Sequence, residues 1–134
     1  MSIVRVLLVD DSLEFLEAAA RFLTEQPWLT IVGRATSGRC ALELIEQTSP
    51  DLVLIDLAMP EMNGLEATRL IKARPAAPLV MMMTLYDVAE YREAAALVGV
   101  DDFIAKSAIR SKIIPAIERL FDTAGTNTGE RQRA

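Results

Sequence analysis

The 134-residue sequence contains no histidine and only one cysteine, Cys40. The absence of histidine excludes the commonest general base and the commonest metal-binding side chain. A single cysteine excludes an internal disulfide and a cysteine-based zinc site, and we expect Cys40 to be a small apolar residue that faces the core. Any chemistry in this chain must therefore rest on carboxylates, lysines and hydroxyl groups, with or without a hard metal ion.

Clusters of positive charge, long apolar runs and glycine-rich phosphate loops are also missing. The net charge is -5, which argues against direct binding of nucleic acid. No apolar run approaches the length of a membrane span and no charged-then-apolar leader is present, so we expect a cytoplasmic protein with no membrane partner. Neither G-x-G-x-x-G nor G-x-x-x-x-G-K occurs, which argues against a nucleotide-binding module.

Apolar strand patterns and helical patterns alternate five times along the chain. Branched and apolar runs predict strands at residues 3–9, 29–33, 52–56, 79–84 and 102–106. A helix is predicted after each strand, the first capped by Asp11 or Ser12, the fourth over about 87–98, and the last capped by Ser107 or Ser111. Residues 122–134 have no apolar period, so we predict one domain, residues 1–121, followed by a disordered polar tail or linker.

This alternation predicts a flavodoxin-like (βα)5 fold, an α/β architecture with a five-stranded parallel sheet and helices on both faces. The expected strand order is 2-1-3-4-5, with a topological switch point between strands one and three. Asp10 and Asp11 follow strand one and Asp56 ends strand three, so the three carboxylates are predicted to meet at the carboxyl edge of the sheet. Thr84 and Lys106, which end strands four and five, are expected at the same edge.

Three neighbouring carboxylates repel one another, and such a cluster is costly unless cations neutralise it. Oxygen ligands of this kind suit Mg²⁺ or Mn²⁺. One such ion together with Lys106 balances the charge of the three acids. A metal ion and an ammonium group that converge on one carboxylate are the parts needed to hold a transferring phosphoryl group. Asp56 is then the predicted nucleophile, which forms an aspartyl phosphate.

Four motifs lie at the ends of the predicted strands. They are Leu8-Val9-Asp10-Asp11-Ser12, the run from Leu54-Ile55-Asp56 through Asn63-Gly64, Thr84 after an apolar strand, and Asp101-Asp102-Phe103-Ile104-Ala105-Lys106. With these motifs the sequence resembles the response-regulator receiver domain, the CheY-like family of two-component signalling, from about residue 3 to residue 121. Residues 29–33 and the Lys106-Ser107 junction resemble most the receivers of LuxR-type transcription factors.

The resemblance implies a phosphoacceptor that takes phosphate onto Asp56 from a histidine kinase or a phosphotransfer protein. Such a protein is not an enzyme with a separate substrate, although it promotes its own phosphorylation and dephosphorylation. The resemblance also implies that Asp11, Asp56 and the carbonyl of Ala58 hold Mg²⁺, with Asp10 contacting the ion through water. Lys106 is then expected to contact the phosphoryl oxygens.

A further implication is a conformational switch. Thr84 and Phe103 would form the switch pair, which changes the surface of helix four, strand five and helix five for a downstream partner. A homodimer that forms upon phosphorylation is compatible with this mechanism. The cognate kinase, the signal, the output and the oligomeric state stay open at this point. Also open is whether the receiver stands alone or belongs to a longer DNA-binding regulator; no helix-turn-helix pattern follows it.

Some positions depart from the family pattern. The family commonly has a cis proline where Ser107 stands here, and a non-proline cis bond costs about 3 kcal/mol, so we expect a trans bond. Leu85 replaces a usually small residue, and with Tyr86 it is expected to cover the phosphoryl site. Ala58 offers no side-chain hydrogen bond to an attacking water. We therefore expect slow self-dephosphorylation.

Two other classes of protein compete with this interpretation. A phosphatase of the haloacid dehalogenase class also uses an aspartyl nucleophile, but it needs a second aspartate two positions later, where Ala58 stands. A pseudo-receiver would bind partners without being phosphorylated. The complete set of strand-end residues argues against a pseudo-receiver. These residues are Asp10, Asp11, Asp56, Thr84 and Lys106.

Overall fold

The computed structural model describes residues 2–121 of the chain. Strands and helices alternate throughout this range. In order they are β1 (Val4–Val9), α1 (Leu13–Leu23), β2 (Leu29–Ala35), α2 (Gly38–Thr48), β3 (Leu52–Asp56), α3 (Gly64–Lys72), β4 (Leu79–Thr84), α4 (Ala89–Val98), β5 (Asp102–Ala105) and α5 (Ile109–Phe121). The predicted polar tail, residues 122–134, lies outside the described residues.

The five strands form one parallel sheet in the order β2-β1-β3-β4-β5, which confirms the predicted flavodoxin-like topology. All five residues of the central strand β3 are buried, as expected for a strand covered on both faces. One apolar cluster joins the sheet to α1 and α5, and a second joins it to α2, α3 and α4. The helices therefore cover both faces, and the carboxyl ends of the strands open onto one edge.

Most element boundaries follow the sequence pattern. β3 and β4 have the predicted bounds, and the three methionines of β4 are buried in the core as expected. Ser12 is the cap of α1, since its Oγ accepts the amide of Phe15 at 3.1 Å. Ser37 caps α2 by accepting the amide of Cys40 at 3.1 Å, and this helix begins at Gly38. Cys40 is half-buried and packs against the second apolar cluster.

The predicted serine cap of α5 is wrong. Residues Lys106–Ala108 form a 3₁₀ turn that leads directly into α5, and the amide of Ile109 donates to the carbonyl of Lys106. That amide needs no side-chain acceptor, so neither predicted serine caps the helix. Ser111 lies inside α5, where its hydroxyl donates to the carbonyl of Ala108 at 3.2 Å.

Peptide geometry settles one further expectation. Among the described residues no peptide bond is cis, so the Lys106–Ser107 bond is trans as expected. Within residues 2–121 no helix has both the length and the apolar character needed to cross a membrane.

Candidate functional site

Three carboxylates meet at the carboxyl edge of the sheet. Asp10 follows β1 and Asp56 ends β3, and these neighbouring strands pair with Val9 opposite Ile55. Side-chain oxygens of Asp10, Asp11 and Asp56 lie within 4.8 Å of one another. Asp10 and Asp56 are buried, whereas Asp11 is exposed to solvent. The fold therefore brings together residues that are separated by more than forty positions in the sequence.

Asp10 is held by two hydrogen bonds that use both of its oxygens. Its Oδ1 accepts the amide of Ser12 at 2.9 Å, and its Oδ2 accepts Lys106 Nζ at 2.5 Å. Only 1% of Asp10 is exposed. A buried carboxylate of this kind is stable only when it is paired and hydrogen-bonded, and here both conditions are met.

Asp56 is less completely neutralised. It is 5% exposed, and its Oδ1 lies 3.4 Å from Lys106 Nζ, a longer separation than that between Lys106 and Asp10. Burial, together with the negative charge of Asp10, raises the pKa of Asp56 from 3.8 to about 6, although Lys106 acts in the opposite direction. The carboxylate of Asp56 thus carries a charge that its protein surroundings only partly compensate.

This arrangement fits a small divalent cation. The cluster offers only carboxylate oxygens, one of the three acids is open to solvent, and burial together with the charge of Asp10 raises the pKa of Asp56, so a nearby cation would stabilise its ionised form. Hard cations such as Mg²⁺ and Mn²⁺ bind oxygen ligands of this type and retain some of their water. Ala58, whose carbonyl was expected to be a further ligand, lies in the exposed loop after β3, and its role stays a prediction.

Lys106 approaches the acids from the end of β5. Its side chain is 12% exposed, and its Nζ lies 4.3 Å from the centre of the Phe15 ring in addition to its two carboxylate neighbours. Sequence reasoning selected the lysine but missed Phe15, because only the folded chain brings the first turn of α1 against Lys106. The only sequence signal was an aromatic residue in the first turn of the helix that follows the acidic pair.

The loop between β3 and α3 is tightly fixed. The amide of Gly64 donates to the carbonyl of Leu57 at 2.7 Å, and a Cβ atom at position 64 would lie 2.3 Å from the carbonyl oxygen of Asp56. Only glycine fits at this close approach. Asn63 and Glu66 then form a capping box at the start of α3. The backbone around Asp56 is therefore held in one conformation.

The predicted switch residues have other partners in this structure. The hydroxyl of Thr84 donates to the carbonyl of Tyr86 at 3.1 Å and accepts the Tyr86 amide at 3.0 Å, so it is not bonded to Asp56 or Lys106. Phe103 is half-buried, with the guanidinium of Arg92 4.9 Å from its ring centre. Thr84 is 3% exposed and ends the strand next to β5, so it lies near the acids without contacting them by a hydrogen bond.

The loop between β4 and α4 corrects one expectation. Leu85 and Tyr86 are 71% and 67% exposed, so the cover that they were expected to form over Asp56 is not present in this structure. The loop is instead tied by Asp87, whose two oxygens accept Arg92 Nε at 2.6 Å and Nη2 at 2.9 Å. Arg92 thus connects the loop to the Phe103 ring.

The fold and the edge cluster together define a class. A doubly wound sheet that presents a buried aspartate, two further acids and a lysine at its switch point is an α/β domain equipped for phosphoryl chemistry on a carboxylate.

Comparison with known proteins gives the family. The model of the response regulator receiver domain matches residues 6–118, and the chain therefore belongs to that family, the receivers of two-component signal transduction. Two curated relatives are protein-glutamate methylesterase/protein-glutamine glutaminases. The one from Nocardioides sp. is 35% identical over 91% of this chain and 37% of its own length. The one from Geobacillus kaustophilus is 42% identical over 79% of this chain and 31% of its own length.

Solved structures agree with this assignment. A LuxR-family two-component response regulator from Aurantimonas sp. has a TM-score of 0.85 and 29% identity, and the match covers 95% of this chain and 89% of that one. The resemblance to LuxR-type receivers is thereby confirmed. The chain spans about a third of the length of the two curated relatives, so the similarity to them is confined to the receiver.

Proposed function

We propose that the protein is a phosphoacceptor whose phosphorylation site is Asp56. The observation that carries this proposal is the placement of a buried, incompletely neutralised carboxylate 3.4 Å from Lys106 and beside two further acids. No other described acid combines burial, a raised pKa and a neighbouring ammonium group. Asp56 ends β3 at the carboxyl edge of the sheet beside the exposed Asp11, and a phosphoryl donor would approach from this edge.

The donor in this proposal is a phosphohistidine of a sensor kinase or phosphotransfer protein, because the chain contains no histidine that could supply the group. An Asp56 oxygen forms a bond to phosphorus while the phosphorus–nitrogen bond of the donor breaks. The imidazole leaves with the electron pair of that bond and takes up a proton. Lys106 is placed to hold a phosphoryl oxygen and offset its negative charge, as positioned cations do in phosphoryl transfer.

Asp10, Asp11 and Asp56, with the carbonyl of Ala58, are the residues that would hold Mg²⁺ or Mn²⁺. When bound, the ion supplies positive charge that stabilises both the acid cluster and the phosphoryl oxygens. Side-chain oxygens of the three acids lie within 4.8 Å of one another, close enough for one ion to be shared among them.

The response to phosphorylation would start at Thr84. The new phosphoryl oxygens offer stronger acceptors than the Tyr86 carbonyl that the hydroxyl now contacts. If the hydroxyl turns toward them, the space it leaves can admit Phe103, whose ring must then move away from Arg92, the residue that Asp87 holds. The surface of α4, β5 and α5 then changes for a downstream partner, which includes a second copy of the chain as one alternative.

Incubation with acetyl phosphate and Mg²⁺, followed by intact-protein mass measurement, tests the proposal. The parent should gain one phosphate and Asp56→Ala none, while both remain folded by circular dichroism. Asp51→Ala is the matched control, since Asp51 lies just before the opposite end of the same strand and is exposed. Phosphate on Asp56→Ala at the parent's stoichiometry would rule out this acceptor. A folded parent that takes up no phosphate would support a pseudo-receiver instead.

A further inference from the structure

Lys106 belongs to a closed ring of four contacts, whose other members are Asp10, Ser12 and Phe15. Asp10 Oδ1 accepts the amide of Ser12 at 2.9 Å, and Ser12 Oγ accepts the amide of Phe15 at 3.1 Å. The ring of Phe15 lies 4.3 Å from Lys106 Nζ, and Lys106 Nζ returns to Asp10 Oδ2 at 2.5 Å. The first turn of α1 is therefore connected to Lys106 in two ways, through Asp10 and through the ring of Phe15.

The ring of Phe15 gives the ammonium group of Lys106 a third neighbour in addition to the two carboxylates. A lysine ammonium has three donors at the end of a flexible chain and readily changes its rotamer. Asp10 and Asp56 face two of its sides, and the Phe15 ring lies against the ammonium as well. The negative face of an aromatic ring attracts a cation, and the attraction is greater where water is excluded. Lys106 is only 12% exposed, so the ring acts in a largely desolvated site.

We infer that Phe15 is a positioning residue for phosphoryl transfer, which holds Lys106 Nζ at the acid cluster through a cation–π contact. This inference rests on the proposed role of Lys106 in the reaction at Asp56. Phe15 touches neither the acceptor oxygen nor the incoming phosphoryl group in this account. It acts by keeping the ammonium group where Asp56 needs it, so that no reorientation of the lysine is required when the donor arrives.

A second aromatic residue of α1 provides a matched control. Phe22 is also half-buried and also packs against the apolar cluster of α1 and α5. Its ring lies 5.1 Å from the guanidinium of Arg110, an exposed residue that has no contact with the acid cluster. Phe22 therefore shares the packing and the neighbouring cation of Phe15 but not the connection to the site.

The test compares the rate of phosphorylation by acetyl phosphate and Mg²⁺ in the parent, Phe15→Leu, Phe15→Tyr, Phe22→Leu and Lys106→Ala. Leucine retains apolar volume but has no π face, whereas tyrosine retains the face. We expect Phe15→Leu to be slower by about 3- to 10-fold, Phe15→Tyr to lie within about twofold of the parent, and Phe22→Leu to match the parent. Lys106→Ala should be slower than any of the phenylalanine variants.

Proton NMR of Lys106 gives a readout that does not depend on the reaction. A methylene group next to an ammonium over an aromatic face is shifted upfield by the ring current. The Lys106 ε-protons should show this shift in the parent and in Phe15→Tyr and lose it in Phe15→Leu. An unshifted resonance in the parent would overturn the inference even if a variant failed to fold.

The kinetic outcomes separate the two proposals. If Lys106→Ala is impaired while Phe15→Leu reacts at the parent's rate, the role of Phe15 is wrong and that of Lys106 stands. If Lys106→Ala reacts at the parent's rate, both roles are wrong. If Phe22→Leu is slowed as much as Phe15→Leu, or Phe15→Tyr does not recover the rate, the effect is general packing of α1 and the inference fails.

Discussion

The neighbouring helices α3 and α4 lie on the same face of the sheet and differ in how firmly they are held. α3 begins with a capping box and buries Gly64, Ala67, Thr68 and Ile71. α4 begins at Ala89, its N-cap residue Val88 makes no side-chain hydrogen bond, and only Ala95 of this helix is buried. Leu97 of α4 is 87% exposed, and the loop before it exposes Leu85 and Tyr86. One helix follows the acceptor strand and the other follows the predicted switch strand.

This difference assigns separate tasks to the two regions. The loop before α3 follows Asp56, the proposed acceptor, and phosphoryl chemistry needs a fixed geometry for its acceptor. The loop before α4 follows Thr84, a predicted switch residue, and a switch needs an element that can move at low cost. A capping box and four buried residues stabilise α3, whereas α4 has no side-chain cap and buries only Ala95.

Gly64→Ala should have the largest effect on stability, and it acts on the rigid side, which is the loop between β3 and α3 together with α3. Its Cβ would lie 2.3 Å from the Asp56 carbonyl oxygen, so the backbone of the acceptor loop must shift. We expect a loss of about 3 kcal/mol or more in the free energy of unfolding. Extra volume in a packed site usually costs about 1–3 kcal/mol, and the cost here should reach the upper end because backbone atoms must move. Urea denaturation measures this loss, and phosphorylation of Asp56 should fall with it.

Gly99→Ala is the matched glycine change on the mobile side, which is the loop between β4 and α4 together with α4. Gly99 has a φ of 93° after α4, and the nearest atom to a Cβ there is 3.6 Å away. Only backbone strain opposes alanine at this position, and we expect a cost of about 1–2 kcal/mol. An equal or larger loss for Gly99→Ala than for Gly64→Ala would contradict the ranking of the two regions.

Asp56→Asn should stabilise the metal-free protein at alkaline pH. The folded pKa of about 6 exceeds the ordinary value of 3.8, so ionisation of Asp56 opposes folding as the pH rises between these values. The effect is absent below about pH 4 and complete above about pH 7, where the variant should gain up to roughly 3 kcal/mol. Urea denaturation in EDTA at pH 8 and pH 4 measures it.

Added Mg²⁺ provides the control for that measurement. A cation held by the acids stabilises the ionised parent, so the advantage of Asp56→Asn at pH 8 should shrink when Mg²⁺ replaces EDTA. An advantage that is the same at both pH values would show that ionisation of the buried Asp56 is not its cause.

Ala58→Asn addresses the lifetime of the phosphate. Ala58 is exposed and offers no hydrogen bond to a water that attacks the phosphoryl group, whereas asparagine would offer one. We expect the variant to lose phosphate about tenfold faster, which corresponds to roughly 1.4 kcal/mol in the barrier. Because Leu85 and Tyr86 do not cover the site in this structure, Leu85→Ala should change the rate less than Ala58→Asn does.

Arg92→Leu should have the smallest effect on stability and act on the mobile side. It removes the pair with Asp87 and the contact with Phe103, and exposed pairs of this kind contribute little to stability because solvent screens them. The unphosphorylated variant should shift toward the phosphorylated conformation, seen as NMR shifts in α4 and β5. Arg119→Leu is the control, since Arg119 lies 3.9 Å from Asp102 and is also exposed.

The sequence predicted the element bounds that local patterns determine. It missed the features that depend on the contacts made in the folded chain. β3 and β4 were predicted with their observed bounds because Pro50 and Pro78 precede them, Asp56 ends β3, and their apolar runs are continuous. The cap of α5 was wrong because the turn after Lys106 bonds through its backbone, which no side-chain pattern reveals. The convergence of the acids followed from topology alone.

Side-chain partners were harder to predict than positions. Lys106 and Asp10 are 96 positions apart, and only the folded chain shows that Phe15 joins them. The exposure of Leu85 and Tyr86 depends on the hydrogen bonds that Thr84 makes to the backbone of residue 86. Such contacts arise from tertiary placement, and propensity and periodicity carry no information about them.

Amide hydrogen exchange of α3 and α4, with and without beryllofluoride and Mg²⁺, tests the division between the rigid and mobile sides most directly. In the unliganded parent, α4 should exchange faster than α3. Beryllofluoride should change exchange in α4 and β5 and leave α3 nearly unchanged, and Thr84→Ala should lose the change in α4. Equal changes in α3 and α4, or an unaltered α4 response in Thr84→Ala, would contradict the account.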